Sequence, residues 1–196
     1  MQAENQITIG NSSNKEEAMQ TERRITFLGL TLKTIVVHTV TYFIMGLLAL
    51  AFLDYRTAFD APVTREFMRS VDDPIVALGP GLQFIRGILF AVVFYLLRDT
   101  LFGRKNGWLI MWVMLVSLGI LSTFGAAPGS VEGLLYTKMP VGLQISGWLE
   151  VMIQALLLSG ILYYWVNHPE KKWLAWVLGI IFALVIIFSI MGFMMA

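Results

Sequence analysis

Trp173–Met195 reads WLAWVLGIIFALVIIFSIMGFMM. It holds no ionisable side chain, and its one hydroxyl is Ser189. About 20 apolar residues are what an α-helix needs to cross a hydrocarbon core of about 30 Å. In lipid, backbone amides have no water to bond, so such a run closes its hydrogen bonds within itself as a helix.

Three segments upstream have the same character: Ile145–Val166, Trp108–Phe124 and Ile35–Leu53. A fifth, Gly81–Leu97, is shorter and carries Arg86, yet Leu89–Leu97 is continuously apolar or aromatic. The composition asks for the same solvent. The 196-residue chain is 57% hydrophobic and 14% charged, with a mean hydropathy of +0.72. A soluble domain averages roughly 45–50% apolar and 25% charged. The fold class expected is an all-α integral membrane protein with about five transmembrane helices in a bundle. Residues 23–196 form the polytopic domain. The polar stretch 1–22, rich in Gln, Asn, Ser and Glu, is expected to be a disordered cytoplasmic segment. It lacks the form of a cleavable signal, so the first span is expected to act as an uncleaved anchor.

Charge placement orients the spans. Arg23, Arg24 and Lys33 precede the first, Arg98, Arg104 and Lys105 separate the second and third, and Lys171 and Lys172 separate the fourth and fifth. The opposite loops carry Arg56, Arg65, Arg69 and Lys138. Basic residues concentrate on the cytoplasmic side, so eight against four puts the N-terminus in the cytoplasm and the C-terminus outside. Trp108, Trp173 and Trp176 fall at the inner boundary and Trp148 near the outer one, where an indole keeps its N–H hydrated. Short loops and compact size point to a cell membrane, in particular a bacterial plasma membrane.

The outer loop 54–80 is patterned. Asp60 can cap a helix, Pro62 suits its first turn, and Val63, Phe67 and Val71 recur every four residues. The spacing predicts a short interfacial helix over Asp60–Val71. Gly79-Pro80-Gly81 then breaks the apolar stretch Pro74–Leu97, which allows a re-entrant turn before the break if protein shields it. Gly81-Leu82-Gln83 recurs as Gly142-Leu143-Gln144, each close behind a proline and opening a span. Spans two and three are therefore a possible parallel repeat of spans four and five; chance recurrence of common residues is the alternative.

Charged groups at membrane depth are expensive and usually face the interior. His38, Arg86 and Glu150 lie inside spans. At 1.5 Å per residue, Arg86 lies about 8 Å and Glu150 about 10 Å below the outer ends of helices running in parallel. An Arg86–Glu150 ion pair is the expectation; the alternative is Arg86 snorkelling to headgroups above a protonated Glu150. Thr34, His38, Tyr42 and Gly46 form one stripe at four-residue spacing, and Ser146, Glu150 and Gln154 form another. Gln83, Arg86 and Gly87 cluster on the second span. Spans one, two and four should therefore pack together, with three and five facing lipid. Ser117, Ser122 and Ser189 are exceptions, explained by bonds to their own helix carbonyls.

The candidate polar site is thus His38, Tyr42, Gln83, Arg86, Ser146, Glu150 and Gln154. These residues serve either as polar contacts between helices or as a track for protons or a small polar solute. Net charge +1 gives no case for nucleic acid. The absence of cysteine excludes disulfides and thiolate metal sites. No HExxH, Walker or GxSxG pattern is present, and no cofactor or metal is expected. His168 reads as a polar turn residue. The methionines read as apolar filler. A Glu150–His38 acid–base pair would be separated by roughly 10 Å in depth, too far to act directly. The first functional expectation is a non-enzymatic membrane component acting through helix packing, a membrane partner or a second copy of itself. The second is a small-solute or proton-coupled transporter using Arg86 and Glu150.

Overall fold

The computed structural model describes residues 25–53, 55–66, 68–121 and 129–195. The disorder expected for 1–22, the charges of Arg23 and Arg24, and Ser122 to Phe124 at the end of the third apolar run lie outside them. The protein is all-helical, 77% helix and without strands among the described residues. In chain order the helices are α1 (Phe27–Phe52), α2 (Tyr55–Asp60), α3 (Pro74–Ala77), α4 (Gln83–Leu96), α5 (Arg98–Leu101), α6 (Gly107–Leu121), α7 (Val131–Tyr136), α8 (Val141–Asn167) and α9 (Lys172–Met194). Three of them, α1, α8 and α9, are long and apolar enough to cross a membrane. The apolar helices α4 and α6 have 14 and 15 residues, which rise only about 21–22 Å.

The first apolar helix begins eight residues before the expected Ile35. Thr26 caps it, its Oγ1 accepting from the Gly29 amide at 3.2 Å. No breaker then interrupts the chain before Ile35, so Lys33 falls inside the helix. Its ammonium donates to the Trp165 carbonyl at 3.0 Å and lies over the Trp165 ring.

The outer loop differs from its periodicity. Its first helix is Tyr55–Asp60, so Asp60 ends a helix instead of capping one, and 61–66 form turns. The buried Thr64 hydroxyl has the carbonyls of Ala58, Phe59 and Ala61 within hydrogen-bond reach and donates its one proton among them, which holds the chain in a turn where a helix over 60–71 would have to continue. Phe67, one of the three periodic residues, lies outside the described set. The functioning cap is Asp73, whose carboxylate accepts from the Ile75 amide at 3.0 Å with Pro74 in the first turn of α3. After α3, the Gly79-Pro80-Gly81 break keeps its backbone bonded through short turns: Gly79 N–H to Val76 C=O, Leu82 N–H to Leu78 C=O and Gln83 N–H to Pro80 C=O. The break shortens α4 by removing its first turns.

Helix α1 is the hub. It packs most extensively on α4, then on α8 and α9, while α6 packs on α8 and α3 on α9. Two of these contacts need glycine. A Cβ on Gly87 would stand 2.8 Å from the Ile35 Cα, so α1 and α4 touch backbone to backbone. A Cβ on Gly192 would stand 3.0 Å from the Ala77 Cβ, where α3 meets α9. Phe27 lies against Tyr95 (5.3 Å between centroids) and His38 against Phe90 (5.0 Å), so α4 runs antiparallel to α1. Gln83 bonds His38, so α4 starts opposite the middle of α1.

The contiguous core gathers at one end. It comprises Leu30, Val37 and Val40 of α1, Phe94 of α4, Met111 of α6, Leu158 and Leu162 of α8, and Leu174 and Leu178 of α9. The outward faces are apolar as well: Leu32, Leu47, Phe52, Leu89, Leu96 and Trp176 are all exposed. Water does not support continuous apolar exposure of this kind, whereas lipid does.

Candidate functional site

The stripe on α1 faces inward. Thr34 and His38 are fully buried, and Tyr42 and Gly46 are half-buried. Thr34 Oγ1 donates to the Leu30 carbonyl at 2.8 Å, which satisfies it within its own helix. His38 reaches across to α4. Its Nε2 lies 3.2 Å from Gln83 Oε1, and Gln83 Nε2 donates to the Gly79 carbonyl at 3.1 Å. The second bond orients the amide, so Gln83 Oε1 is an acceptor and His38 Nε2 carries the proton. Nδ1 is then the acceptor atom of the ring, and it has no partner. The helix break, through the Gly79 carbonyl, thus sets the tautomer of a histidine at the centre of the bundle.

Three adjoining cavities extend from there, away from the packed end. One of about 380 Å³ is bordered by His38, Arg86, Phe90 and Gln154. One of about 280 Å³ is bordered by Tyr42, Arg86, Glu150 and Gln154. A third, of about 350 Å³, is bordered by Tyr42, Glu150 and Ser189 among apolar side chains. Arg86 and Gln154 border the first two, and Tyr42 and Glu150 border the last two.

Five of the seven expected residues, His38, Tyr42, Arg86, Glu150 and Gln154, therefore face connected space, and Gln83 joins them through His38. Ser146 does not: its hydroxyl donates to the Leu143 carbonyl of its own helix at 2.8 Å. Arg86 and Glu150, the pair expected from the sequence, lie on the wall of one cavity. Ion pairs among the described residues include Arg65–Glu66, Arg69–Asp73 and Arg98–Asp99. Arg86 is exposed and borders two of the cavities, one of which Glu150 also borders.

Ser189 is the residue that sequence reasoning misplaced. Expected to bond its own helix, it is 3% exposed and its Oγ has no partner. The available signal was its isolation as the one hydroxyl in an otherwise apolar span. Trp148 also departs from expectation, its indole N–H being buried without a partner, whereas Trp173 and Trp176 are exposed. Gln144, from the recurring tripeptide, is buried and fastens the turn before its own helix. It donates to the Gly133 carbonyl (2.9 Å) and Thr137 Oγ1 (3.2 Å) and accepts from the Gly129 amide (3.2 Å). Gln83 does the same for the turn before α4.

The chain matches no known family model, no curated protein and no solved structure.

Proposed function

We propose that this is a five-span transporter of a cell membrane, built to bind a small zwitterionic solute between Arg86 and Glu150. The spans are α1, α4 extended by α3 across the break, α6, α8 and α9, with the packed end cytoplasmic and the cavities opening from the outer half. The observation that carries the reading is that a fixed cation and an ionisable carboxyl border one cavity of about 280 Å³. A guanidinium recognises a carboxylate through paired donors. A carboxylate has about four acceptor sites, so Glu150 can take a ligand ammonium alongside its other contacts. A solute with both charges suits this wall better than a solute with one. The surrounding design agrees. The core closes one end and the cavities occupy the other, as one state of alternating access requires. A discontinuous helix borders the site, a feature that transporters place at their binding sites. The corresponding roles of Gln83 and Gln144 favour the two-hairpin repeat.

A second reading, a packing component that acts through a membrane partner or another copy, draws on the exposed apolar faces and on ties between helices such as Trp112 Nε1 to the Met152 carbonyl at 3.0 Å. One experiment separates the two. The protein in nanodiscs is titrated with a panel of amino acids, and uptake is followed in proteoliposomes. Arg86→Gln and Glu150→Gln are each expected to weaken binding about 10- to 100-fold, the value of a hydrogen bond to a charged group, while yield and helicity hold. If each variant instead lowers yield and the double variant restores it, the pair is structural and the transport reading fails.

A further inference from the structure

We infer that the solute carries a bulky apolar group, seated in the cavity of about 350 Å³ between α1, α3 and α9, with Ser189 bonding its polar end. This rests on the head-group reading above and gives it a substrate class: zwitterions with a long aliphatic or aromatic side chain.

The lining supports it. Phe43, Leu47 and Leu50 of α1, Val76 of α3 and Phe188 of α9 make an apolar wall, interrupted at Tyr42, Glu150 and Ser189. Tyr42, Phe59 and Glu150 also border the cavity that holds Arg86, so the two spaces meet at the carboxyl. A molecule with its ammonium at Glu150 and its carboxylate towards Arg86 can therefore send a side chain into the apolar space. Ser189 supplies the independent sign of a ligand. A buried hydroxyl without a partner is rare and unfavourable, and this one borders the cavity beside the carboxyl. A plain hydrocarbon chain would leave the Ser189 hydroxyl without a partner, so the occupant needs both an apolar body and a polar end. The volume falls in the range of small-molecule sites.

Affinities of leucine, phenylalanine, asparagine and glycine are measured by calorimetry on the full chain in nanodiscs. Each methylene removed from water favours binding about fourfold. Leucine and phenylalanine are expected to bind about 100-fold more tightly than glycine, and asparagine to stay near glycine. Ser189→Ala should weaken leucine binding about 2- to 10-fold. Gly46 borders the cavity and has open space where its Cβ would stand, so Gly46→Leu fills the space without moving backbone. It should lower the leucine-to-glycine affinity ratio at least about tenfold. Equal affinity for all four amino acids would overturn the apolar subsite and leave the head-group reading standing. Binding of none would overturn both. A lipid found by native mass spectrometry and not displaced by leucine would assign the cavity to an acyl chain, against this inference.

Discussion

Gly87→Ala tests the close contact between α1 and α4. The added Cβ would stand 2.8 Å from the Ile35 Cα, 3.1 Å from its Cγ1 and 3.3 Å from its N. Carbon atoms pack at about 3.5–4.0 Å, so α1 and α4 must part by at least about 0.7 Å. A gap of that size forfeits a quarter to a half of each dispersion contact along the seam, and forced overpacking costs about 1–3 kcal/mol. Alanine also gains about 1 kcal/mol of helix propensity over glycine, which masks part of the loss. Gly160→Ala, in α8, isolates that gain, since a Cβ there meets nothing within 4 Å. Both variants are unfolded from mild detergent into sodium dodecyl sulfate and followed by circular dichroism and tryptophan fluorescence. Gly87→Ala should be less stable than Gly160→Ala by about 1–3 kcal/mol. A difference below about 0.5 kcal/mol, the scatter of ordinary surface changes, would show that α1 and α4 do not meet backbone to backbone.

Gln144→Leu should destabilise the protein by about 1–3 kcal/mol, because the bonds that this 1% exposed side chain makes to Gly129, Gly133 and Thr137 are lost. Tryptic cleavage near Lys138 should accelerate with it, and an unchanged digestion rate would count against the clamp. Asp73 is expected to titrate below the ordinary 3.8, first because Arg69 donates to its carboxylate and then because the Ile75 amide does. A depressed carboxyl stabilises the fold above its unfolded value, and that contribution is lost as pH falls through the folded value, so the effect lies in the window below about 4. Carbon-13 NMR should show the titration and its return towards 3.8 in Arg69→Ala; a wild-type midpoint at or above 3.8 would contradict the assignment.

Helices are legible in this chain because apolar run length and backbone bonding are local properties. Each of the five apolar runs contains a helix, and α4, α8 and α9 match their runs to within about a turn. The boundaries that failed depended on single side chains. Thr26 moved the start of α1 upstream, and Thr64 turned the chain where the Val63-to-Val71 spacing favoured a helix. Periodicity reports which face is apolar, but it does not weigh one hydroxyl turned back on the carbonyls that precede it.

From the residues alone followed a greasy all-helical chain, the inward stripe through His38 and Tyr42, and the short set of ionisable groups that has to be accommodated. These rest on solvation energies and on the 3.6-residue turn, which every residue carries with it. Only the tertiary structure decided that Arg86 and Glu150 border a shared cavity, that Ser146 serves its own helix while Ser189 is buried without a partner at the edge of a cavity, and that Gln83 sets the tautomer of His38. Each of these depends on helix rotation and on separations of a few tenths of an ångström between distant segments. Those quantities come from how side-chain volumes such as Ile35 against Gly87 fit together, and no single stretch of the chain contains them.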